Sequence, residues 1–356
     1  MVSQPLPVVV LSADSGHISL VYSVGLIRRI LISFQFFVVH TNRSSDRRRQ
    51  PWFPDAFSGN MQVEEGIHML WFFPALCAAL TQSLNDVISK RYFSEFTAYE
   101  MGLIRLIYAF PYLVTGLLVI PWPPLDRTFW LCLAVGLPLE FIAFLCYMRA
   151  IKVSPLSLTL PFLAFTPAFV ILTGFFILNE RLNRYGITGV ALIVAGSYVL
   201  NFSSARQHWQ SPFRALLREQ GSWLMLLTAL VYSITATIGK LAIRHSSPQF
   251  FGMVYFIFFT MFVSMFFPLI PGAKISNILR KPLPGIAGGL VLTTMIFSHT
   301  YAISLVEAAY MISVKRCSLL FGVLFGAVVF KEEKIKERLV GALIMICGVL
   351  VIGILG

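Results

Sequence analysis

Charge is what this chain has least of. Asp, Glu, Lys and Arg make up 12% of its 356 residues, against about a quarter in an ordinary globular domain. So few charges cannot cover a water-facing surface, and 57% of the residues are hydrophobic. Most of the outer surface is therefore expected to face lipid. Cysteine is sparse as well. Cys77, Cys132, Cys146, Cys317 and Cys347 all lie in apolar runs, without a Cys-x-x-Cys pair or a Cys/His cluster. That argues against a disulfide framework and a zinc site and leaves them as small packing residues. Also missing are a His-Glu-x-x-His helix, a Gly-x-Ser-x-Gly elbow and a phosphate-binding loop, so no catalytic residue, metal or cofactor is expected.

What charge there is leans one way, with a net value of +12. The basic residues sit in short connections between apolar runs and accompany no nucleic-acid-binding motif. Anionic lipid headgroups are their natural partners.

The apolar runs are ten, near 69–89, 98–120, 129–149, 155–178, 184–202, 221–243, 249–271, 285–304, 306–330 and 338–355. Each is long enough to cross a bilayer as a helix, and barrel strands would be about half that length and alternating. Residues 1–60 stand apart. Their apolar stretch, Ile18 to Val39, is interrupted by Arg28 and Arg29, whose insertion cost of roughly 5–7 kcal/mol cancels most of the gain. The stretch Arg43 to Gln50 reads as disordered. The simplest expectation makes Met61 the start of the translated protein and 1–60 an upstream extension; a targeting or regulatory tail is the alternative.

The runs fall into two copies. Ala150, Glu180, Gly189 and Gly196 recur 152 residues later as Ala302, Glu332, Gly341 and Gly348. Ser83, Ile88 and Lys90 recur as Ser233, Ile238 and Lys240. A fixed offset with a fixed order of runs means a duplicated unit. Residues 61–202 would hold the first five helices, 203–220 a linker, and 221–356 the second five. An odd number of spans per copy inverts the second copy, which predicts an all-α membrane protein of two inverted five-helix repeats.

With these landmarks the chain resembles the EamA-type carriers of the drug/metabolite transporter superfamily over residues 70–356. The resemblance is carried by Tyr147 to Leu200, with Ala150 to Pro155 opening helix four, Asn179 and Glu180 closing it, and Gly186 to Gly196 in helix five. Its copy runs from Thr300 to Val351, with Ala302 to Glu307, then Lys331 to Glu333, then Val340 to Gly348. The resemblance implies transport of a small metabolite or an amino-acid-like or drug-like solute, often outward, by alternating access, in the bacterial cytoplasmic membrane, as a monomer or homodimer. A non-transporting sensor or scaffold is the main alternative, and a membrane-embedded enzyme a more remote one. The family's usual topology puts both termini in the cytoplasm. Lys and Arg, however, concentrate in the connections after the odd-numbered runs, which favours the opposite orientation.

Ionisable residues inside spans are costly and mark solute or ion pathways. Glu140 follows Pro138 near the middle of the third run and is the candidate proton carrier, with helix locking by a basic partner as the other reading. Lys315 and Arg316 lie ten residues into the ninth run, where the first copy has Leu163 and Ala164. They are candidates for an anionic solute group or for neutralising Glu140, with one of them snorkelling to the headgroups as the other reading. Adjacent positions lie about 100° apart on a helix, so at most one of them is expected to point straight at a cavity. Asp86 is expected to pair with Lys90 one turn on, while Lys90, Lys240 and Arg105 are expected to snorkel. His299 is either a titrating group or a satisfied hydrogen-bonding histidine. Glu180 and Glu332 are expected to cap helices and shape loops. The pairs Gly189/Gly196 and Gly341/Gly348 are expected to form packing seams. Pro155, Pro161 and Pro167 lie in the fourth run and none in the ninth, which predicts that those two helices bend differently.

Overall fold

The computed structural model describes residues 70–153, 162–202, 220–330 and 335–355, all within one compact unit, Gln62–Gly356. Residues 1–60, nearly all of the linker, Pro155, Pro161 and Glu332 lie outside the described residues. Every regular element among the described residues is helical. In chain order these are α1 (Phe72–Phe93), α2 (Ala98–Val119), α3 (Arg127–Val153), α4 (Thr166–Thr173), α5 (Arg184–Phe202), α6 (Gln220–Arg244), α7 (Pro248–Phe266), α8 (Ile275–Leu279), α9 (Pro282–Leu305), α10 (Ala308–Lys315), α11 (Ser318–Phe330) and α12 (Ile335–Leu355). Each of the ten apolar runs contains at least one of them. Among the described residues five segments are long and apolar enough to cross a membrane: Ala98–Val119, Arg127–Tyr147, Gln220–Arg244, Pro248–Leu269 and Pro282–Leu305.

Local chemistry sets the helix starts, and the two halves use it alike. Thr97 accepts the Glu100 amide at 3.2 Å while Glu100 accepts the Thr97 amide at 2.8 Å, a reciprocal cap that starts α2. Ser247, 150 residues on, accepts the Phe250 amide at 3.3 Å and starts α7. Asp126 accepts the Phe129 amide at 2.9 Å at the head of α3. Pro111 and Pro138 lie inside α2 and α3, which continue through them. Leu118, Phe176 and Ile354 are 74–81% exposed, as side chains facing lipid must be.

The helices exchange partners between halves. α6 packs on α3 and α9 packs on α1, so the first helix of each half lies against the third span of the other. α7 packs on α2, and α5 on α12. The α5–α12 seam is made by the two glycine pairs. A Cβ on Gly196 would lie 2.6 Å from the Met345 nitrogen and 2.7 Å from the Gly341 carbonyl oxygen. Without side chains the two backbones touch.

The fourth and ninth runs are each interrupted, at positions that match. The α-helical hydrogen bonding is interrupted at Ala164–Phe165 and again at Arg316–Cys317, 152 residues later, and resumes at Thr166 and Ser318, while Phe165 and Arg316 keep right-handed helical dihedrals. The two runs were expected to bend differently, and what they share is the position of the interruption. Pro167 opens α4 from its first turn, but the ninth run breaks without proline. There the Arg316 amide is shared between the Ile312 and Ser313 carbonyls at 3.2 and 3.0 Å, and the Cys317 amide bonds Val314 at 2.9 Å. These tight bonds close α10, and the next turn stays tight, with the Leu319 amide on the Arg316 carbonyl at 3.0 Å and the Leu320 amide on the Cys317 carbonyl at 2.9 Å.

Candidate functional site

The breaks sit beside a cluster of charged and phenolic side chains drawn from six spans. α1 supplies Asp86, α2 Arg105, α3 Glu140 and Tyr147, α6 Tyr232 and Thr235, and α9 His299. Lys315 ends α10, and Arg316 occupies the break itself. Arg105 Nη1 lies 3.5 Å from Asp86 Oδ1, and Gln82 donates to the same oxygen at 3.2 Å. Lys315 Nζ lies 3.5 Å from His299 Nδ1 and within electrostatic reach of both Glu140 and Asp86. Thr235 is the hydrogen-bond neighbour of Glu140. Tyr147 lies within electrostatic range of Asp86, Arg105 and Arg316, and Tyr232 within range of Glu140 and Arg316.

Asp86 shows that the cluster is open inside. Its neighbours come from several helices, yet 59% of its side chain is accessible. An acid ringed by other spans does not face lipid, so the accessible space is a recess between them. Such a recess tolerates charge where the hydrocarbon would not.

Arg316 crosses between the halves. Its Nη2 donates to Thr166 Oγ1 at 2.8 Å, and that hydroxyl donates to the Leu163 carbonyl at 2.6 Å across the other break. The two interrupted helices therefore meet at their interruptions. Arg316 Nε is buried with no hydrogen-bond partner.

Several sequence expectations change here. Asp86 takes its contacts from Gln82, one turn back, and from Arg105 on α2; the expected pairing with Lys90 is not among them. Arg105 turns inward to Asp86 instead of snorkelling, because that acid is the nearest compensation for its charge. Lys315 and Arg316 both join the cluster, each through its own contact, Lys315 with His299 and Arg316 with Thr166. Phe141 and Phe144, from the same span as Glu140, are buried in aromatic packing against Phe262, Phe266, Tyr99 and Phe259. Tyr232, Thr235 and Thr166 carry no local signal of their role; only the α3–α6 and α4–α10 contacts bring them in.

A second polar knot closes one end of the bundle. After a π-turn, Gly174–Leu178, Asn179 takes a left-handed φ of 56° and turns the Glu180 side chain inward. Glu180 accepts the Ala308 amide at 2.9 Å at the start of α10, so it caps a helix of the other half rather than its own. It also pairs with Lys240 at 2.5 Å and Arg244 at 3.4 Å. Lys240 donates to the Val306 carbonyl at 2.5 Å and is 6% exposed. That corrects the snorkelling expectation: a carboxylate and a carbonyl beyond the helix end hold the ammonium inside. Nearby, His245 Nδ1 lies 2.6 Å from Asp126 Oδ2.

The architecture has known counterparts. The profile of the EamA-like transporter family matches residues 69–202 and again 220–354, one match for each half. An uncharacterized transporter of Archaeoglobus fulgidus is 23% identical over 280 residues, 78% of this chain and 95% of that protein. One solved crystal structure superimposes with a TM-score of 0.60 at 14% identity, covering 80% of this chain and 95% of its own, which is a likeness of fold. Two tandem family matches on a chain of apolar helices settle its class: this protein belongs to the EamA-like transporter family and is a multi-pass membrane protein.

Proposed function

We propose that the chain is a secondary transporter of a small organic solute, with ten spans arranged as two inverted five-helix repeats that rock about the charged recess. The observation that carries this reading is the pair of matching helix breaks, joined through Arg316 and Thr166. Interrupted helices facing each other across a repeat interface are where carriers build solute and ion sites, because loosened backbone there is shielded from lipid. Glu140 is the coupling-proton group in this reading. It lies in the recess with a hydroxyl neighbour and a distant cation, so it can hold or release a proton as the recess changes the side it faces. Loop charges favour the connections after odd-numbered spans in the cytoplasm.

The test is uptake by purified protein in liposomes, with a panel of small solutes under a pH gradient and, separately, a sodium gradient. Accumulation is expected under the pH gradient. Glu140→Gln is expected to lose that accumulation while keeping solute-for-solute exchange. Undiminished pH-driven uptake in Glu140→Gln removes Glu140 from the role, and no accumulation under either gradient removes the carrier reading.

A further inference from the structure

The polar groups of the recess are unevenly matched. Asp86 has Arg105 within 3.5 Å and Glu140 has the Thr235 hydroxyl. Among the described residues no carboxylate lies within ion-pairing distance of Arg316 or of Lys315. The guanidinium of Arg316 has a single neutral acceptor, Thr166 Oγ1, and its Nε, buried, has none. Thr166 is also the first residue of α4, whose N-terminal pole is positive. A fixed cation, a helix pole of the same sign and an ammonium on the preceding residue thus share one region, and among the described residues the nearest carboxylates, Glu140 and Asp86, act on the ammonium only from beyond ion-pairing distance. Holding charge away from water without compensation is expensive, so this arrangement is suited to an anion that enters from outside.

We propose that Arg316 is the anchor for an organic carboxylate solute, with Lys315 as the second cation. This rests on the carrier reading above and adds the solute's charge and the residue that reads it. The planar guanidinium carries more donors than its one bond to Thr166 uses, and its forked shape matches two carboxylate oxygens. Tyr147 and Tyr232 lie within electrostatic range of the guanidinium, and phenolic rings can offer apolar faces to the rest of a solute. The first copy has Ala164 where the second has Arg316. The anion site therefore belongs to one half, and the carboxylate is held off the axis that relates the repeats.

The experiment measures ligand-dependent thermal stability of the full chain in detergent. Its probes are a series of monocarboxylates from acetate to phenylacetate, each beside its uncharged amide. At least one carboxylate is expected to raise the unfolding temperature saturably, with no effect of its amide. Arg316→Gln is expected to raise the required concentration about tenfold or more, and Arg316→Lys to recover part of the loss, as a point charge without the fork. If Arg316→Gln does not fold, Lys315→Gln supplies the comparison, with a smaller loss expected. No carboxylate effect anywhere in the series, equal effects of acid and amide, or full retention in the folded variants would overturn the proposal. Those outcomes, together with gradient-driven uptake of a neutral or cationic solute in liposomes, would leave the carrier reading standing.

Discussion

Gly189 and Gly348 meet face to face where α5 and α12 cross: a Cβ on Gly348 would sit 2.7 Å from the Gly189 carbonyl oxygen. Their repeat partners do the same one heptad away, with Gly196 against Gly341. Because α5 closes the first half and α12 the second, this seam joins the halves by backbone contact. It can hold a fixed axis while the side chains of the recess rearrange.

Substitution along that seam therefore separates helices. Gly196→Ala puts a methyl group 2.6 Å from the Met345 nitrogen, and a backbone atom cannot rotate away. A loss of about 1–3 kcal/mol is expected. Gly353→Ala, on the facing helix α12 with nothing within 4 Å of its Cβ, should leave stability unchanged or slightly raised. Denaturation midpoints in detergent check both, and equal effects would show that the close approach does not matter.

The knot at Glu180 predicts a dependence between partners. Lys240→Ala leaves a buried carboxylate with only the half-exposed Arg244 beside it, and should cost about 3–5 kcal/mol. Adding Glu180→Gln should recover part of this, since an amide oxygen still accepts the Ala308 amide and carries no charge. A double-mutant cycle measures the coupling. Additive losses would mean that the pair does not act as a unit.

At the same end, the Phe129 amide and the His245 ring hold the Asp126 carboxyl below its usual range, against some desolvation. A depressed carboxyl contributes stability above its unfolded value of about 4 and loses it as pH falls through the lower folded value. The difference in melting temperature between wild type and Asp126→Ala should therefore persist at neutral and mildly acidic pH, then shrink below about pH 4. A difference that disappears already above pH 5 would contradict the assignment.

Much of this was legible in the residues. The duplicated order of Ala, Glu and two glycines located the halves, because a unit copied whole keeps its spacing. Glycines seven apart predicted a close seam, because that spacing returns to one helix face. Apolar runs located the helices, because hydrocarbon leaves the backbone no other way to satisfy itself.

What the runs could not tell was which side chains meet. Helical periodicity says which residues share a face but not which helix that face touches, so Asp86 was matched to its own helix and Arg105 to the lipid surface. The break at Arg316 has no proline or glycine to announce it. The sequence alone determined two copies of a helical membrane unit with glycine seams and buried charge. Only the tertiary structure decided that Arg316 stands in a break without a carboxylate and that Glu180 caps a helix of the other half. A charge inside a membrane takes the nearest compensation in space, and the packing of the spans decides where that lies.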